Sequence, residues 1–261
     1  MTDNETYQVY AIRYATLARK EGDNFIGRDP HKHASNLDFY IWVARSEKRT
    51  IIIDTGFSSQ SAQRRGREFL CSPSEGLRQL GIDTEAVTDV ILTHLHYDHA
   101  GNVDLFPSAT FHLQESEMSF ATGRYMYHPF LRHAYDVEDI MNLVNLVHSE
   151  KVNFVSGDEE IFPSFHVHHV GGHCAGLQIV RLWTNTGWMV LASDAAHYYE
   201  NFERKQPFPI VYHTGQMLDG HVLLQNLATS LDLIIPGHDP EVMDRFPALD
   251  TENPNTIICL T

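Results

Sequence analysis

The sequence predicts a layered α/β fold in which helices cover β-sheets, as a single domain across residues 1–261. Three observations predict it. Runs with the two-residue rhythm of strands alternate with runs at helical spacing along both halves of the chain. No linker, low-complexity tract or internal repeat separates those halves. Finally, 261 residues, 43% hydrophobic and 20% charged, supply a sizeable core within an ordinary soluble composition.

Strands are expected over 7–14 and 39–44, with Ser46-Glu47-Lys48-Arg49 turning the chain into a third at 50–53. Ser72-Pro73-Ser74-Glu75 has the form of a capping box with proline at the first helical position, opening a helix that ends at Gly81. The runs at 90–92 and 110–113 read as short buried strands, and residues 130–147 carry apolar positions at helical spacing. In the second half, strands are expected at 165–170, 177–183 and 188–192, the last two joined by the turn Thr184-Asn185-Thr186-Gly187. A helix over 220–231 then leads to a strand at 233–235.

Composition excludes several functions. No apolar run approaches the length that spans a bilayer, so no membrane partner is expected. The start Met1-Thr2-Asp3-Asn4-Glu5 lacks the basic-then-apolar form of a signal peptide, which makes the cytoplasm the expected location. Cys71, Cys174 and Cys259 are too few and too scattered for a disulfide framework or a cysteine zinc site. A net charge of −15 disfavours nucleic acid, and the one basic cluster, Arg64-Arg65-Gly66-Arg67, reads as one face of a short solvated helix. Bound divalent cations would offset part of the acidity. The unusual count is 17 histidines.

Some of these are arranged. His94-Leu95-His96-Tyr97-Asp98-His99 follows directly on a strand, which fixes the base of a loop that can turn several side chains inward. Imidazole and carboxylate suit zinc and related divalent metals. Four candidate ligands in six residues exceed what one tetrahedral ion takes from a short loop, so two adjacent metals fit better.

The stretch from Thr93 to Gly101 resembles the HxHxDH signature of the metallo-β-lactamase superfamily. The other motifs of that family are matched in order by Asp54-Thr55-Gly56, Gly172-His173, Ser193-Asp194-Ala195 and Pro236-Gly237-His238-Asp239. The resemblance implies an αββα sandwich, with one metal on His94, His96 and His173 and a second on Asp98, His99 and His238. Asp194 would bridge the two, and Asp54 would orient the histidine loop without binding metal. It implies two divalent ions, zinc first, with manganese or iron also suited. A hydroxide shared between them would attack a carbonyl.

The Asp98-His99-Ala100-Gly101-Asn102 ending, the aspartate bridge and Glu200-Asn201-Phe202-Glu203 further resemble the N-acyl-homoserine lactonase branch, whose relatives also open catabolic lactones. A small lactone is the expected substrate. That branch carries a substrate-contacting tyrosine three residues after the bridging aspartate. Here the position holds His197, followed by Tyr198, and either could face the substrate. Two alternatives stand beside this reading. A thioesterase resembling glyoxalase II would need a basic, helical C-terminal region, and little chain follows His238. A non-catalytic metal-binding protein conflicts with a complete ligand set. His31 and His33, and likewise His166 and His168, read as polar surface, and Cys174 as a small buried residue. Met118, Phe120, Tyr125, Met126, Tyr127 and Phe130 could wall or cover the site, or pack in the core. Oligomeric state is left open, a homodimer among the options.

Overall fold

The computed structural model describes residues 5–249 and 256–261, so the polar start read at Met1 to Asn4 lies outside the described residues. Among the described residues thirteen strands run in chain order: β1 (Gln8–Leu17), β2 (Leu37–Arg45), β3 (Thr50–Ile53), β4 (Glu68–Phe69), β5 (Asp89–Ile91), β6 (Thr110–Gln114), β7 (Val152–Val155), β8 (Glu159–Phe162), β9 (Phe165–His169), β10 (Gln178–Thr184), β11 (Gly187–Ser193), β12 (Ile234–Pro236) and β13 (Ile257–Cys259). They form two mixed sheets. The first has the order β13-β1-β2-β3-β5-β6-β7 with β4 paired to β1, and the second β12-β11-β10-β9-β8.

β2 is buried along eight of its nine residues because β1 and β3 flank it and both of its faces are covered. β3, β5, β6 and β7 run parallel, and β3 and β5 are short apolar runs, as strands buried on both faces require. The sheets pack face to face around one core. Tyr7, just before β1, meets Phe165 of β9 edge-on at 5.5 Å, and His112 of β6 meets Phe162 of β8 at 5.7 Å. Helices cover the outer faces, giving the αββα sandwich.

The helix starting at Ser72 forms as expected over Pro73–Gln79, with the Ser72 hydroxyl accepting from the Glu75 N–H at 3.1 Å. Three expectations differ from the structure. The helix read over 130–147 breaks into Pro129–Arg132 and Val137–His148, because the Ala134 carbonyl accepts from the Tyr97 N–H at 2.9 Å and Tyr135 is drawn inward. The helix read over 220–231 spans Thr214–Leu227, started by the His213 ring accepting from the Gln216 N–H. The basic cluster ends the helix Ser59–Arg65 at left-handed Gly66, but its side chains are not freely solvated. Arg64 pairs with Asp136 at 2.6 Å, and Arg67 donates to the Tyr97 hydroxyl at 3.0 Å. The strands without a sequence signal, β4, β7, β8 and β13, are all short and lie at sheet margins. Among the described residues, no helix is long and apolar enough to cross a membrane.

Candidate metal centre

The motif residues collect at the carboxyl ends of four strands. Asp54 directly follows β3, the loop from His94 to His99 follows β5, Asp194 follows β11 and His238 follows β12. β3 and β5 are parallel neighbours in one sheet, and β11 and β12 in the other, so their ends open on the same edge of the sandwich. Thr93 joins the two sheets there, its carbonyl accepting from the Gln178 N–H at 2.9 Å and its hydroxyl from Ser193 Oγ at 2.9 Å. His173 arrives on the loop after β9.

Asp54 and Ser193 both take the left-handed backbone, with φ of 62° and 45°. Such strain persists where surrounding bonds over-determine it. Asp54 supplies those bonds: Oδ1 accepts from the Thr93 N–H, and Oδ2 from the Thr93 hydroxyl and from His99 Nδ1, at 2.8, 2.8 and 2.7 Å. Gly172 also has a positive φ, and a Cβ there would lie 2.5 Å from the Met217 nitrogen, so only glycine lets His173 approach.

All seven expected ligands are buried and converge. The Asp194 carboxylate divides them. Its Oδ2 lies 3.0 Å from His173 Nε2 and 3.8 Å from His94 Nε2, while Oδ1 lies 3.0 Å from His238 Nε2 and 3.3 Å from His99 Nε2. His94, His96, His173 and Asp194 form one group with ligand atoms within 4.8 Å of one another, and Asp98, His99 and His238 form another.

The outward ring nitrogens decide what the inward ones can do. His173 Nδ1 donates to the Ile210 carbonyl at 2.8 Å and His238 Nδ1 to the Asp38 carbonyl at 2.7 Å, while His99 Nδ1 faces Asp54. Carbonyls only accept, so His173 and His238 keep a proton on Nδ1, and in the neutral ring the inward Nε2 then offers a lone pair. His96 Nδ1 lies 3.0 Å from His94 Nε2 and 2.9 Å from His173 Nε2, so three ring nitrogens converge on one point. His99 Nε2 is buried without a hydrogen-bond partner among the described residues. Burial pushes the His94 and His96 imidazoles well below their usual pKa. Burial would raise Asp194, but His197, His238, His99 and His173 around it hold it ionised, well below the usual carboxylate range. A buried, acceptor-rich shell of imidazole and carboxylate suits divalent cations, and oriented outer nitrogens are the support that metal-binding histidines use.

Of the two residues that could face the substrate, His197 comes to the cluster and Tyr198 does not. His197 Nε2 lies 3.0 Å from Asp194 Oδ2, and its ring stacks on Phe208 at 3.5 Å. Burial pushes its pKa down to about 3 against the pull of Asp194. Tyr198 lies apart from the cluster. It caps the helix Tyr199–Glu203, packs on Phe25, and sends its hydroxyl to the Asn36 carbonyl at 3.1 Å. His166 and His168 lie away from the cluster and are only partly exposed. His166 packs on Trp188, and His168 Nδ1 lies 3.0 Å from Asp158. His31 and His33 are exposed, and Cys174 is buried with a free thiol.

Glu117 carries no signal in the sequence. Fully buried, it accepts from the Leu95 N–H at 3.1 Å and the Tyr135 hydroxyl at 2.8 Å through Oε1, and from the Gly176 N–H at 2.9 Å through Oε2. It thereby ties the loop carrying His94 and His96 to the loop carrying His173, and sets Tyr135 against the His96 ring at 4.5 Å. A buried carboxylate in a helix facing backbone donors has no motif; only its depth marks it. Beside His96 and His173 opens a cavity of about 310 Å³, walled by Phe120, Phe130, Tyr135 and Tyr212. Phe120 and Phe130 are thus wall residues, while Met118 and Met126 pack against the core.

Comparison with known proteins agrees with this geometry. Residues 40–238 match the model of the metallo-beta-lactamase superfamily. An N-acyl homoserine lactonase of Bacillus thuringiensis is 26% identical over 188 residues, covering 66% of this chain and 70% of that protein. A second N-acyl homoserine lactonase, from Agrobacterium fabrum, is 28% identical over 174 residues, covering 65% of each chain. The crystal structure of a quorum-quenching N-acyl homoserine lactone lactonase superposes with a TM-score of 0.76 at 23% identity, covering 90% of this chain and 94% of that one, which shows the shared fold.

Proposed function

Because the chain belongs to the metallo-β-lactamase superfamily, we propose that it is a dinuclear-metal-dependent hydrolase that opens the ring ester of a small lactone. One observation carries the reading: a buried carboxylate, Asp194, whose two oxygens face two separate groups of inward imidazoles. His94, His96 and His173 would hold one ion and Asp98, His99 and His238 the other, with Asp194 shared. The pair, zinc or else manganese or iron, supplies Lewis acidity toward a carbonyl and a lowered pKa for water.

The protein's own residues keep that arrangement rigid. Asp54 holds the proton of His99 at Nδ1, and the Asp38 and Ile210 carbonyls do the same for His238 and His173. His197 holds a proton at Nε2 toward Asp194 Oδ2, and its stacking on Phe208 keeps that edge in register. It acts as a positioning residue for the shared carboxylate. The aromatic walls exclude water from the face where the lactone docks.

The relatives named above act on N-acyl homoserine lactones by their names, which supports ring oxygen esters as the substrate class. The test is proton release from a panel of lactones, a β-lactam, a phosphodiester and a glutathione thioester, with metal-depleted protein as control. Turnover is expected on lactones and should vanish on depletion. Turnover of the thioester with none on any lactone would replace this reading by the glyoxalase-II-like one.

A further inference from the structure

The cavity beside His96 and His173 has one charged wall. Arg19, just beyond β1, lines it. Its Nε donates to Asn24 Oδ1 at 3.0 Å and its Nη2 to the Asp23 carbonyl. A guanidinium carries five N–H groups. The other three have no hydrogen-bond acceptor among the described residues, and Arg19 makes no ion pair among them. The carboxylate of Asp23, on the same cavity, accepts from the Lys20 N–H at 3.2 Å. The guanidinium carbon stands 5.8 Å from the Phe208 ring, which stacks in turn on His197, so the charge sits one aromatic ring away from the ligand cluster. Burial lowers its pKa from the usual guanidinium value, the sign of a cation partly stripped of water.

We propose that Arg19 selects lactones bearing a carboxylate, held at the far end of a flat body from the ring ester. The proposal rests on the lactonase reading above and narrows its substrate class. His96 and His173 mark the end where the ester would lie, and Phe120, Phe130, Tyr135 and Tyr212 offer ring faces and edges between. A planar fork of N–H groups open to the cavity, with no protein acceptor, matches a carboxylate in two-point geometry. A plain alkyl substituent would displace the water from those N–H groups and give them no acceptor in return. A chain with a net charge of −15 repels anions at long range, so the selection is local and acts only once the ligand has docked.

The experiment compares phthalide with carboxyphthalide on the metal-loaded full chain. The quantity read is the ratio of kcat/KM for the two, because losses of folded or loaded protein cancel in it. The ratio is expected to favour carboxyphthalide by about ten- to a hundredfold, the scale of a hydrogen bond to a charged group. Arg19→Gln should bring the ratio to about one through KM, and Arg19→Lys should keep part of it. Thermal melts confirm that both variants fold. A ratio at or below one in the unaltered protein, or a preference that survives Arg19→Gln, overturns the role of Arg19 while phthalide turnover leaves the lactonase reading standing. If neither phthalide nor any lactone of the panel is opened, the lactonase reading itself falls.

Discussion

The floor of the cavity and its rim are held by different forces. On the floor, Asp54, Asp194, His173 and His238 are buried; Asp54, His173 and His238 are each fixed by a hydrogen bond to a partner distant in sequence, and Asp194 by His197 Nε2 at 3.0 Å. At the rim, Phe130 is 69% exposed, and Tyr125, Tyr212 and Phe120 meet mainly through ring edges. The floor stands on strand ends from both sheets, whereas much of the rim stands on short helical turns between β6 and β7. A rim built this way can change without disturbing the chemistry below it, so specificity and catalysis are physically separable here.

That contrast breaks most severely at Asp194. Asp194→Asn removes the charge facing both imidazole groups and should lower turnover by roughly three orders of magnitude or more, with metal falling below two ions per chain. Elemental analysis and lactone turnover read both, and a normal enzyme with two ions would mean the carboxylate is not shared. Next comes the support beneath the floor. In Glu117→Gln, one end of the amide must present NH₂ to either the Leu95 or the Gly176 N–H, so a buried donor loses its acceptor whichever way the amide turns. Stability should fall by about 1–3 kcal/mol, and metal affinity by roughly ten- to a hundredfold. A melting curve and a metal titration indistinguishable from those of the unaltered protein would remove Glu117 from this role.

His197 and Tyr198 sharpen the comparison by a single residue. His197→Ala should lower kcat by about 10²-fold with KM little changed, and His197→Gln should recover part of the loss by restoring a donor to Asp194. Tyr198→Phe should cost about 1 kcal/mol of stability for its bond to Asn36 and leave kcat within about twofold. The opposite ranking would return the site to Tyr198. Phe130→Ala, at the rim, should change stability least, within about 0.5 kcal/mol, and alter KM rather than kcat. A collapse of kcat in that variant would show floor and rim to be one unit.

Much of the fold was legible because strongly patterned segments stayed what their pattern said. The runs at 39–44, 50–53, 177–183 and 188–192 are central strands in the structure, where neighbours on both sides reinforce an apolar pattern. β4, β7, β8 and β13 escaped because strands of two to four residues at a sheet margin need no marked periodicity. The break at 133–136 escaped because a backbone carbonyl there bonds to Tyr97, a contact that helical spacing does not encode.

For the site, the sequence by itself determined the chemistry of the donors. Imidazoles and carboxylates crowded at strand ends and spaced as HxHxDH have few uses other than holding cations. Which way each ring turns was decided only by the tertiary structure. His197 faces Asp194 and Tyr198 faces Asn36, since the turn after β11 carries one side chain inward and the next outward. Glu117 and Arg19 likewise acquire meaning only in three dimensions. A carboxylate or guanidinium is ordinary in a sequence, and becomes specific only where burial strips its water and distant backbone or empty space decides what replaces it.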